Sequence, residues 1–146
     1  MDATDYQILN LMQRDCRITL RRIGEQVGLT PPSVAERIRK LEDDGVIKNY
    51  RIEIDRTKLD YAMTGYILVA PEPDRYAAFC AFCEKQSAIS EHHHVVGSYN
   101  AVLRFAVRDT RELDALLSSI KTYGDSRTSV ELKTLFSAKD LPLPRP

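Results

Sequence analysis

Three adjacent histidines, His92, His93 and His94, are the most conspicuous chemistry-bearing residues in this 146-residue chain. On a strand, alternation sends His92 and His94 to one face and His93 to the other, with Glu91 on the side of His93. Two imidazoles at i and i+2 can share a metal ion, but no nearby carboxylate or thiol pattern completes a ligand set. No metal is expected, and the run fits a pH-sensitive subunit contact better. Cys80 and Cys83 form a C-x-x-C pair. Redox pairs of that spacing sit where a helix N-terminus lowers the thiol pKa, and zinc sites need two further ligands. Here the pair is interleaved with Phe79 and Phe82 in mid-helix, which reads as core packing. With Cys16 the count is odd, so reduced thiols are expected. No nucleophile and base pair, phosphate loop or metal set marks a catalytic centre. His93 with Glu91 is a thin candidate, so neither an enzyme nor a cofactor is expected.

The stronger pattern is cationic. The whole chain is neutral, with 21 basic and 21 acidic residues. Yet Arg17, Arg21, Arg22, Arg37, Arg39 and Lys40 crowd residues 17–41 against only Glu25 and Glu36. A basic face of limited size on a neutral protein is the footprint of a nucleic-acid contact. Thr30, Pro32, Ser33, Glu36, Arg37, Arg39 and Lys40 are the candidate DNA-binding residues. Long cations reach phosphates or a guanine edge, and a serine near a helix start bonds base or phosphate. Arg37 also sits where it can pair with an acidic neighbour such as Glu36 or Glu42.

These residues need elements to carry them. A capping box is read at Thr4 to Gln7, opening a helix to about Asp15. Leu20, Ile23 and Val27 form one face of a second helix, which Gly28 ends. Thr30 is an N-cap and Pro31 suits the first helical position of a third helix, which runs to Asp44 before Gly45. Two short helices joined by a tight glycine turn, after a leading helix, describe a helix-turn-helix unit whose last helix enters the major groove.

From residue 46 the period changes to alternation, giving a strand over Lys48–Ile54 and a linker to Met63. Beyond it follow a strand at Thr64–Ala70, a helix at Asp74–Lys85, strands at Ile89–Val96 and Ala101–Val107, a helix at Thr110–Lys121, and a strand at Ser129–Phe136. The tail LPLPRP reads as extended. The order β-α-β-β-α-β is the split βαβ arrangement, an antiparallel sheet with two helices on one face. The fold class expected is therefore α+β: a winged helix-turn-helix domain over 1–45, a strand and linker over 46–63, and a ferredoxin-like domain over 64–146. The sheet's other face needs a cover, which predicts at least a dimer. No apolar run is long enough to cross a bilayer and no signal peptide is read, so a cytoplasmic protein with no membrane partner is expected.

The stretch VGLTPPSVAERIRKLEDDGVIKNY, residues 27–50, resembles the Lrp/AsnC (feast/famine) family of transcriptional regulators. The family pattern there is V-G-L-S/T, an Arg at the place of Arg37, then R-L-E-x-x-G-x-I-x-x-Y. The resemblance implies binding to double-stranded DNA, dimers formed through the C-terminal domains, and octamers built as tetramers of dimers. It also implies an amino acid or related metabolite as effector, held near a V-x-G-x-x-D turn. Here that run is Val95-Val96-Gly97-Ser98-Tyr99-Asn100, so Gly97, Ser98, Tyr99 and Asn100 are the candidate effector residues. Asn100 departs from the family's aspartate, and an amide offers an ammonium group a weaker contact than a carboxylate does. The function expected is a sequence-specific regulator that oligomerises and senses a metabolite. The alternative is a metabolite-binding assembly module with weak or no specific DNA binding.

Overall fold

The computed structural model describes residues 1–136 and 139–143, which form two compact units. The first comprises residues 1–53 with the described part of 136–146, the second residues 54–135. The end of the proline-rich tail, 144–146, lies outside the described residues.

In the first unit α1 spans Ala3–Arg14, α2 Leu20–Val27 and α3 Pro31–Asp43. Helix α1 starts earlier than the Thr4 to Gln7 box would have it. Asp2 is the N-cap and Asp5 its partner: the Asp5 N–H donates to Asp2 at 2.9 Å and the Asp2 N–H donates to Asp5 at 2.8 Å. Aspartate caps as well as threonine does, and two carboxylates here also meet the positive end of the helix dipole. Helix α2 closes on Gly28 at φ +72°, a conformation that costs a glycine nothing. Gly24 matters for a different reason: a Cβ there would stand 2.4 Å from the Leu29 carbonyl oxygen. The turn into α3 is therefore folded directly against the backbone of α2. Thr30 caps α3, with Pro31 and Pro32 opening it. At its far end the Val46 N–H donates to the Leu41 carbonyl and the Gly45 N–H to that of Glu42, a Schellman closure. Ile8, Ile23, Val34 and Ile38 form the shared core.

The strand expected over Lys48–Ile54 is not formed. The segment is irregular and exposed, with Ile52 78% accessible. Alternation suits a residue run to a sheet, but a strand exists only where another backbone completes its hydrogen bonds, and among the described residues none does.

The second unit has β1 at Met63–Pro71, α4 at Tyr76–Lys85, β2 at Ile89–His94, β3 at Ala101–Val107, α5 at Thr110–Lys121 and β4 at Gly124–Val130. The sheet order is β2-β3-β1-β4 with every neighbouring pair antiparallel. That is the ferredoxin-like arrangement expected. The last strand is displaced from Ser129–Phe136. Its register is set against β1, with Gly124 opposite Pro71 and Val130 opposite Gly65. The polar run GDSRTSV fits because β4 is an edge strand, and polar residues are what edges carry. Leu132, Leu135 and Phe136, which the expected strand included, are exposed instead. Ile67, Val69, Leu103, Phe105 and Val107 face Phe79, Cys83, Leu113, Leu116 and Ile120 in the core.

Candidate nucleic-acid interface and effector turn

Helix α3 buries Val34, Ile38 and Leu41, and this fixes what its other side presents. At 100° per residue Pro32, Glu36, Arg39 and Asp43 lie opposite that stripe, with Lys40 alongside. All five are exposed. The start of α3 is sealed from within. Pro31 and Pro32 have no N–H, the Ser33 N–H donates to Thr30 Oγ1 at 3.4 Å, and the two hydroxyls lie 2.9 Å apart. This helix therefore offers a ligand pyrrolidine rings and side chains rather than the free amides of a usual helix N-terminus.

Arg37 is set apart from its cationic neighbours. It lies between the exposed stripe and the core and reaches α1, where Nη1 donates to Asp2 at 2.8 Å and to Asp5 at 2.7 Å. The acidic partners are thus those two, not Glu36 or Glu42. The Asp5 N–H and the Arg37 guanidinium together hold the Asp2 carboxyl below the usual carboxylate range. Glu42 instead accepts from the Tyr50 hydroxyl at 2.8 Å. Burial, then that acceptor, push the Tyr50 hydroxyl up to about 12. Around α2, Arg17 and Arg22 are exposed, and Arg21 makes a 3.0 Å pair with Glu25 at the surface.

In the second unit the turn between β2 and β3 closes with the Val95 N–H donating to the Asn100 carbonyl at 2.9 Å. Gly97 stands at φ +155°, which a side chain would resist. Ser98 is exposed, and the Tyr99 ring lies beneath the Arg127 guanidinium at 5.5 Å. Asn100 Oδ1 is buried with no hydrogen-bond donor. A buried acceptor left unpaired is costly, and it marks the point in the turn where a donor is wanted.

The histidines divide as alternation requires. His93 Nε2 lies 3.0 Å from Glu91 on the open side of the sheet. On the helix side His92 packs edge-on against Phe79 at 5.3 Å, and His94 Nδ1 lies 2.7 Å from the Tyr76 hydroxyl. Burial, then the neighbouring imidazoles, lower the His92 pKa. Cys80 and Cys83 are packed into the core, where burial and the Cys80 thiol push Cys83 up to about 12 and silence it as a nucleophile. The open sheet face is more polar than expected. Arg104 lies over the Tyr66 ring at 5.6 Å, 3.7 Å from Glu91 and 3.8 Å from Glu131. Arg104 was missed from sequence because both of its acidic partners come from distant parts of the chain.

Residues 1–48 match a family model for winged helix-turn-helix DNA-binding domains, and residues 64–141 match one for the Lrp/AsnC ligand binding domain. Over 134 residues the chain is 36% identical to YezC, an uncharacterized HTH-type transcriptional regulator of Bacillus subtilis, covering 92% of this chain and 95% of the relative. It is 32% identical to the HTH-type transcriptional regulator FL11 of Pyrococcus horikoshii over 98% of this chain and 97% of that one. Among solved structures, a Neisseria meningitidis transcriptional regulator in complex with L-Met superposes with a TM-score of 0.88 over 97% of this chain and 96% of its own. At 22% identity that likeness is one of fold. No helix among the described residues is long and apolar enough to cross a membrane. With both halves matched in order, the chain belongs to the Lrp/AsnC family of transcriptional regulators.

Proposed function

We propose that this chain is a sequence-specific, cytoplasmic DNA-binding regulator, not an enzyme, that acts as a dimer or a tetramer of dimers and responds to an amino acid or related small metabolite. The observation that carries the DNA half is the exposed stripe of α3, Pro32, Glu36, Arg39 and Lys40, standing opposite a fully packed face. In a major groove the Pro32 ring suits a thymine methyl and Glu36 accepts from a cytosine amine. Arg39 and Lys40, with Arg17 and Arg22, neutralise phosphates. Arg37 acts as a positioning residue, since both carboxylates of the α1 cap already hold it. Thr30 and Ser33 act mainly by building the start of α3.

For effector sensing, the support is the Gly97–Asn100 turn with its unpaired buried acceptor, and the fold shared with a regulator solved with L-Met. An ammonium group is a donor of the kind Asn100 Oδ1 lacks. For assembly, the support is the open sheet face, where Tyr66, half-buried Leu68 and half-buried Val102 surround Arg104. A second copy covering that face would shield these apolar groups while Glu91 and Glu131 keep the arginine paired. Effector and DNA are then coupled through the assembly each one favours.

The test is a fluorescence titration of labelled DNA from the gene's own upstream region against a scrambled duplex at two salt concentrations. Tight binding that prefers the upstream duplex and weakens with salt is the expected result. Weak, equal binding to both would favour the metabolite-binding assembly module instead.

A further inference from the structure

The chain leaves the first unit after Glu53 and re-enters it at Phe136. What it meets there is a surface of α1 that engages the tail's backbone. The Gln13 carboxamide engages both polar groups of one tail residue. Its Oε1 accepts from the Leu141 N–H at 2.8 Å and its Nε2 donates to the Leu141 carbonyl at 3.4 Å. A side-chain amide bonded to both groups of one residue imitates the contact that a neighbouring strand makes with an added peptide. One position along in each segment, the Arg14 guanidinium lies 3.6 Å from the Asp140 carboxylate. Two adjacent helix residues thus meet two adjacent tail residues. Beside them a cleft of about 380 Å³ is walled by Leu9, Met12, Cys16, Val46, Tyr50 and Leu143.

We propose that this face of α1 is a docking surface whose occupant is the C-terminal segment 139–143 of the same chain, a strap that ties the DNA-binding unit down a second time. Its polar contacts are all made by exposed groups and are individually weak, so the strap docks reversibly. The consequence rests on the DNA-binding reading above. With the strap docked the unit hangs from two chain crossings, and with it released from one, so docking narrows the range of half-site separations that a dimer accepts. Loop closure costs rise only slowly with length, which lets a tail returning from so far along the chain still find α1.

Two experiments decide it. In a Cys16→Ser background, Gln13→Cys with Leu141→Cys should close a disulfide on mild oxidation that runs as a single chain on a denaturing gel. A cross-link formed only between two chains, or none, overturns the proposal. Second, the full chain is compared with one ending at residue 138 and with Gln13→Ala. Both variants should be cut several-fold faster by protease within 46–54, and both should lose less affinity than the full chain on duplexes with altered half-site separation. Equal cleavage rates overturn the strap, and unchanged spacing dependence overturns its role in spacing. Faster cleavage with no DNA binding by any of the three chains would uphold the strap and sink the DNA-binding reading.

Discussion

Arg37 donates to Asp5 across 2.7 Å, and through this contact the helix that carries the exposed Arg39 and Lys40 is bolted to the first turn of α1. The Asp5 carboxylate is doubly used, since it also accepts from the Asp2 N–H in the capping box. Arg37→Ala should therefore act first on structure. The melting temperature of the first unit should fall by a few degrees, and the salt dependence of DNA binding should stay as it was. A lost unit of salt slope with an unchanged melting temperature would show that Arg37 contacts phosphate.

The Asp2 carboxylate, held by the Asp5 N–H and by Arg37, makes the first unit acid-sensitive. Asp2 is held below its ordinary value of 3.8 in the folded state. Its contribution is therefore complete above about 3.8 and is lost as pH falls through the lower folded value. Asp2→Asn should flatten that part of the stability curve, as followed by circular dichroism from about pH 5 down to about 2.

Arg39 is exposed and free to reach the backbone of a duplex. Arg39→Ala should weaken binding to specific and random DNA alike and reduce the slope of log affinity against log salt by about one unit. Loss of the specific preference alone would mean that Arg39 reads bases.

Asn100→Asp should have opposite effects with and without ligand. A buried carboxylate with no donor costs more than an amide does, so the free protein should melt lower. A charge-assisted bond to an ammonium group is about twice as strong as a neutral one, so amino-acid affinity should rise by about tenfold. Calorimetric titration with a panel of amino acids measures it, and no change in any of them would remove Asn100 from the effector contact.

His92 carries a pH dependence of definite sign. Its folded pKa lies below the ordinary 6.5, because burial among apolar neighbours disfavours the charged ring. The second unit should keep its full stability above pH 6.5 and lose part of it as pH falls through the lower folded value. His92→Gln should remove that loss, read by thermal melts at pH 7.5 and 5.5, on either side of the ordinary histidine value near 6.5. An unchanged pH dependence in the variant would assign it to another group.

Much of what depends on neighbours in sequence was legible in the chain, although the α1 capping box read at Thr4 to Gln7 is formed by Asp2 and Asp5. Gly28, Thr30 and Pro31 each favour a particular backbone conformation, and α2 ends and α3 begins where those residues say. The buried stripe Val34, Ile38, Leu41 follows from helical period, and with it the outward direction of Arg39 and Lys40. The split of the histidine run between two faces follows from strand alternation. What required the tertiary structure is pairing between distant residues. Asp2 and Asp5 stand 35 and 32 positions from Arg37, and no local rule selects them over Glu36 or Glu42. The place of β4 was decided by hydrogen bonds to β1, which begin at Gly124 and not at Ser129. Alternation over Lys48–Ile54 did not make a strand, because a strand is a relation between two backbones. The Gln13 clamp on Leu141 spans 128 positions. Local patterns reach only as far as one turn of helix or one step of pleat, and beyond that distance only packing and completed hydrogen bonds choose the partner.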